Sequence, residues 1–221
     1  MPYKIFALAL LILSFGDNYR LKDEILLTAK NNGLDGKLQL LVDAKMPAKP
    51  DESELDNYAP AELRVLSKKG TVVQRRVLTK ANASLEPVPE LPTWNALMED
   101  YSIGFGSYAG PSTSFVRVRK AKLEWLQALN KATGKVENIE LTLSLKTVWR
   151  IDTSNGAQSP RILKAACRPS FSKPTDKDKF EMIYTVFYPT KNGWVKVERK
   201  EEGYADFETS ENFPDLSKFD F

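Results

Sequence analysis

The sequence predicts a mainly β protein: an antiparallel β-sandwich or barrel-like meander with at most one or two short helices. Two observations predict it. From Asp23 onward, short runs of Val, Ile, Leu, Thr and aromatic residues are separated by clusters of Gly, Asn, Asp, Pro and Lys, the compositions of strands and of turns. In the second half these runs recur at close, regular intervals, as consecutive strands of a sandwich or barrel do. No repeat of fixed period emerges, which argues against a propeller or solenoid.

The runs Ile25–Ala29 and Lys37–Asp43 flank the pairs Asn32-Gly33 and Asp35-Gly36, which tolerate the positive φ of tight turns, and so read as a hairpin. Met46–Pro60, rich in Pro, Asp and Glu, reads as an exposed loop. Glu62–Ser67 and Thr71–Thr79 form a second hairpin across Lys68, Lys69 and Gly70, with Arg75 and Arg76 toward its far end. Leu85–Pro92 carries Pro87, Pro89 and Pro92. Prolines lack the N–H a ladder needs, so this stretch predicts a linker dividing the chain into lobes.

Trp94–Asp100 reads as a helical turn capped by Thr93, with Trp94, Leu97 and Met98 on one side. Strands are then expected at Phe115–Arg119, Leu123–Leu129, Val136–Leu141, Leu145–Asp152, Arg161–Cys167, Phe180–Tyr188 and Trp194–Lys200. Thr133-Gly134, Asn155-Gly156 and Asn192-Gly193 supply turns between them. Leu123–Leu129 also contains helix formers, so a short helix is its alternative. The tail Glu201–Phe221, acidic but bearing Tyr204, Phe207, Phe213, Phe219 and Phe221, is expected to pack as a loop or to wrap across the sheet.

The first residues read as an address. Lys4 precedes the uninterrupted apolar run Ile5–Leu13 and then Ser14, Phe15 and Gly16, the pattern of a secretory signal peptide cleaved near Gly16. The run is shorter than the roughly 20 apolar residues that cross a bilayer. A mature chain without a membrane span, periplasmic or secreted, is the expectation. The expected organisation is a signal peptide over 1–16, β hairpins with a proline-rich linker over 17–92, and an antiparallel β domain over 93–221. That last domain is either separate or continuous with 17–92.

Composition closes several functional doors. The chain has no histidine among 221 residues, and both Ser-His-Asp and Cys-His nucleophiles need imidazole as their base, as most catalytic zinc sites need it as a ligand. Cys167 is the single cysteine, so neither an intramolecular disulfide nor a Cys-rich metal site can form. After Ala165 and Ala166 it reads as a small buried residue. The 32 basic and 29 acidic residues are interspersed, whereas nucleic-acid binding needs clustered Lys and Arg. No catalytic residue, metal ligand or cofactor is predicted, and no nucleic-acid partner.

Among candidate sites, the Gly-rich, aromatic stretch from Gly104 to Ser112 is the foremost, with Phe105, Ser107, Tyr108 and Ser112 as ligand-binding residues. Glycines let a backbone approach a ligand while rings stack on it. Its plainer reading is a tight turn with Phe105 and Tyr108 packed. Tyr184, Phe187, Tyr188, Trp194 and Tyr204, with Trp125 and Trp149, read as core, because both faces of Phe180–Tyr188 are apolar. Glu99 with Asp100, and Glu124, are conceivable members of a hydrolytic carboxylate pair, a chemistry that needs no histidine. Their plainer reading is solvated surface charge. Asn82-Ala83-Ser84 matches a glycosylation acceptor, and Arg117, Arg119, Lys120 and Lys122 make a basic stretch on a half-exposed strand.

Phe105-Gly106-Ser107-Tyr108, Leu145-Lys146-Thr147-Val148-Trp149 and Ile162–Pro169 together resemble a group of exported bacterial proteins with no assigned function. The resemblance spans Tyr101 to about Trp194 and implies an envelope location without an activity. The expected function is thus an exported, non-enzymatic binding or structural module with an unknown ligand or envelope partner. The alternatives are a carbohydrate-active hydrolase working with two carboxylates, and an envelope assembly protein that adds a sheet edge to its partner.

Overall fold

The computed structural model describes residues 18–100, 109–144, 147–156, 159–169, 180–203, 216–219 and 221. Fifteen strands in two sheets dominate it. The first sheet has the order β1 (Tyr19–Leu27), β2 (Gly36–Asp43), β3 (Glu62–Ser67), β4 (Val72–Val77), antiparallel throughout. Residues of β2 alternate as the pleat requires, and Leu38, Leu40 and Val42 are wholly buried on its inner face. The expected β1–β2 hairpin is present, with a one-turn helix α1 (Ala29–Asn32) in its loop. Thr28 caps the start of α1, and Gly33, at φ 68°, ends it in the left-handed conformation.

The second sheet comprises β5 (Ala83–Pro87), β6 (Asn95–Glu99), β7 (Ala109–Arg119), β8 (Lys122–Trp125), β9 (Gln127–Asn130), β10 (Val136–Asn138), β11 (Glu140–Ser144), β12 (Thr147–Asp152), β13 (Arg161–Pro169), β14 (Phe180–Thr190) and β15 (Gly193–Gly203). Its ladder runs β10-β9-β15-β14-β13-β12-β11-β7-β6-β5, with β8 paired to β7. Every pairing is antiparallel except that of β15 with β9. Among the described residues this path stays open, so the meander is not a closed barrel.

Four expected elements need correction. Trp94–Asp100 is not a helical turn; it contains strand β6, paired with β5 and β7. The proline-rich stretch is not wholly outside the ladder: it begins inside a strand. Pro87 closes β5, the outermost strand of its sheet, where a missing N–H is tolerated, and Leu85 to Pro87 pair with Asn95 to Leu97. The runs Leu123–Leu129 and Val136–Leu141 are strands, as expected, but each breaks once, at Leu126 and Ile139. Both break residues are buried. Leu126 N–H donates to the Phe115 carbonyl and Ile139 N–H to the Leu126 carbonyl. The break at Leu126 lets β8 pair with β7 while β9 reaches β15.

The two sheets share one core. Leu38, Leu40, Val42, Leu63 and Val65 of the first meet Leu85, Leu97, Val116, Val118 and Leu123 of the second. A second cluster, around Phe115, Leu126, Ile139, Leu141, Ile162 and Phe187, lies on the opposite face of β7, with Trp149 edge-on to Phe115 at 6.2 Å. A third lies on the outer face of β13 and β14, where Leu163, Tyr184 and Val186 are covered by Leu216 and Phe219. The described residues of the tail therefore pack across the sheet, as expected. Tyr184 and Phe187 are core residues, also as expected.

The loop after β2 is less exposed than its composition implies: Met46 and Leu55 are buried, the latter in a 3-10 turn over Glu52–Asn57. The Asp43 carboxylate pins this loop by accepting from the N–H groups of Lys45 and Ala59, both at 2.9 Å. The bonds from Ala59 and then Lys45 hold Asp43 below its ordinary pKa. Its contribution to stability is present above the unfolded value and is lost as pH falls through the lower folded one. Acid titration of the native state should thus show a loss of stability below about pH 4 that is smaller in Asp43→Asn, checked by denaturant midpoints across pH.

Gly36 sits where β1, β2 and β3 meet, and a Cβ there would lie 1.9 Å from the Leu66 carbonyl oxygen. Backbone must move to admit it. Gly36→Ala should cost about 1–3 kcal/mol in denaturant unfolding.

Candidate functional site

Of the residues expected to bind ligand, Phe105, Ser107 and Tyr108 lie outside the described residues. Ser112 is buried on β7, and its hydroxyl donates to Glu140 Oε1 at 2.8 Å, tying β7 to β11. The structure gives Ser112 an inter-strand bond instead of an exposed position.

A cleft lies elsewhere, between the end of β4 and the outer edge of β8. Its volume is about 630 Å³. Trp94, Trp125 and Trp194 line it, together with Arg76, Arg117 and Glu124. Register explains the grouping. Trp94 immediately precedes the Asn95↔Val116 pair, so it falls opposite Arg117, and Arg117 is opposite Glu124. The three form a transverse row over β6, β7 and β8. The Arg117 guanidinium lies 4.3 Å from the Trp94 ring centroid and donates to Glu124 Oε2 at 2.8 Å. From the other wall, Arg76 stands over Trp125 at 5.7 Å. Trp125 and Trp194 are half-buried; each packs on a core while also lining the cleft. Core packing is therefore half of what these two rings do.

Two of the three candidate carboxylates, Glu99 and Glu124, line this cleft, and both are engaged. Glu99 Oε1 accepts from Thr79 N–H, Thr79 Oγ1 and Lys80 N–H, tying β6 to the chain beyond β4. Glu124 is held by Arg117. Asp100 accepts from the Asn82 amide at 2.5 Å, and the Asn82 oxygen in turn accepts from Lys22 Nζ. The amide of the Asn82-Ala83-Ser84 acceptor site is thus already committed to structure.

A second cavity of about 310 Å³ lies on the inner face of β13 to β15 and is lined by Lys164, Lys196, Lys200, Glu137, Glu140 and Glu198. Charges of both signs interlock there, Lys196 lying 3.5 Å from Glu137 and 3.7 Å from Glu198. Such a balanced trough selects no ligand sign. Among the described residues no group of three or more His, Cys, Asp or Glu converges to hold a metal, and no helix is long and apolar enough to cross a membrane.

No protein-family model, curated protein or solved structure matches the chain.

Arg117→Ala should uncover the Trp94 ring and strand Glu124 without its partner. The expected outcome is a red-shifted tryptophan emission and a loss of about 1 kcal/mol in chemical unfolding, since a stacked, half-exposed ion pair is worth no more.

Proposed function

We propose that the chain is a non-enzymatic binding module of the bacterial envelope, exported on residues 1–16, and that its site is the three-tryptophan cleft. One observation carries the site: the half-buried rings of Trp125 and Trp194, distant in sequence, converge on an open cleft beside two arginines, with the buried Trp94 beneath Arg117 as its floor. Broad aromatic surface with a few placed polar groups is what recognition of an extended ligand uses. The engagement of Glu99 and Glu124 in structural bonds favours binding over hydrolysis. Export rests on the Lys4 to Gly16 pattern and on the resemblance to exported proteins.

Titration of tryptophan emission with soluble oligosaccharides and peptides tests the site. Binding should weaken about tenfold in Trp125→Ala, and no cleaved product should accumulate. Turnover abolished by Glu124→Gln would overturn the non-enzymatic reading. Determining the first residue of the protein purified from cells tests export, with a start just beyond Gly16 as the expected result.

A further inference from the structure

We infer that the free edge of β4 receives an extended, acidic strand from a partner protein, which adds to the first sheet and ends in the tryptophan cleft. This deepens the binding-module reading and rests on it.

Strand β4 ends its sheet, and among the described residues no strand pairs with its other side. It is bare for an edge of this length. Val72, Val73 and Val77 are 47, 44 and 49% exposed, while Leu63 and Val65 on the neighbouring β3 are wholly buried. Solvent-exposed apolar side chains on an unpaired edge present both the main-chain groups and the surface that an added strand needs.

The edge is also held rigid. On its inner face Gln74 Oε1 accepts from the Leu123 N–H, and Arg76 lies over Trp125. On its outer face Arg75 bonds the buried Glu62 carboxylate at 2.5 Å. A docking strand would therefore meet a platform already in place, with little ordering left to do.

Charge identifies the occupant. From Lys68 to Lys80 the chain carries Lys68, Lys69, Arg75, Arg76 and Lys80 and no Asp or Glu. Lys68, Lys69 and Arg76 are exposed. Lys68 and Lys69 stand in the β3–β4 turn, Arg76 stands near the other end of the strand, and Arg75 is paired with Glu62, so antiparallel pairing with a second copy would set Lys68 and Lys69 against Arg76. They favour a strand of opposite sign. Because Arg76 and Val77 also line the cleft, a strand following β4 toward its C-terminal end runs out among Trp94, Trp125 and Trp194.

The test uses the full chain, labelled with nitrogen-15, and capped peptides of about eight residues that alternate valine with glutamate, threonine or lysine. At millimolar concentration the glutamate peptide should slow hydrogen exchange of β4 amides about tenfold, the threonine peptide less and the lysine peptide not at all. Replacing Lys68 and Lys69 by Glu should invert that order, and added salt should weaken binding of the glutamate peptide. Equal protection by all three peptides would overturn the charge argument. So would protection of β4 by self-association, seen as a dimer in sedimentation without peptide. A cellohexaose arm separates the two readings. Tryptophan emission that responds to this sugar, with β4 amides unprotected by any peptide, rejects the edge and leaves the binding module standing. Silence in both arms rejects both.

Discussion

Strand β7 is buried on both faces, and the rest of the molecule is arranged around that constraint. Val116 and Val118 point into the core shared by the two sheets; Phe115, on the other side of the pleat, points into the second core. All three are at most 1% exposed. Each such side chain removed from water contributes about 1.5–3 kcal/mol before entropy is counted. A strand that supplies both cores cannot slip by one residue without exchanging its two faces. Register at β7 in turn fixes Arg117, and through it the positions of Trp94 and Glu124. The cleft is thus a by-product of the packing order and not of a dedicated loop.

Charge within the fold obeys the same constraint. Glu62 has no exposed surface, and Arg64 and Arg75 both reach its carboxylate. A carboxylate left alone there would be prohibitively desolvated. Asp152 shows the balance of effects: burial raises its pKa, yet bonds from Ser154 and Arg161 outweigh burial and hold it below the usual carboxylate range. Arg161 is itself covered by the ring of Phe221, which sits edge-on to Tyr188. The described end of the chain therefore lies against this ion pair as well as against an apolar face.

Much of the strand order was legible because the turns declare themselves. Asn192-Gly193 is one case: Gly193 has φ 118°, and Thr190 and Gly193 close the β14–β15 hairpin as a facing pair. Where the chain turns without such residues the sequence is silent. Lys120 and Ala121, at φ 49° and 64°, make the β7–β8 turn in a conformation that costs L residues roughly 1–2 kcal/mol each. The Asn32 carbonyl accepts from Lys120 N–H, and the Asn32 amide donates to the Val118 carbonyl, so α1 holds that turn from outside. Trp94, Leu97 and Met98 misled for a related reason. Their spacing is helical, but Trp94, just ahead of β6, enters one core and Leu97 the other, and a strand covered on both faces loses its alternating signature. The cleft was illegible because segments remote in sequence build it, and only their register brings three tryptophans together.

The parallel pairing of β9 with β15 gives the molecule a direction in time. Trp194 to Lys196 lie beside Ala128 to Asn130, so a segment near the middle of the chain has no neighbour on that side until almost the last strand has arrived. Contacts of such long separation are slow to form and hold a chain open while they wait. A polypeptide emerging from a ribosome or a membrane pore N-terminus first would meet its finishing strand late. The sheet of β1 to β4 and the ladder of β5 to β8 need nothing from that strand, so it is β9 and β10 that must wait for it.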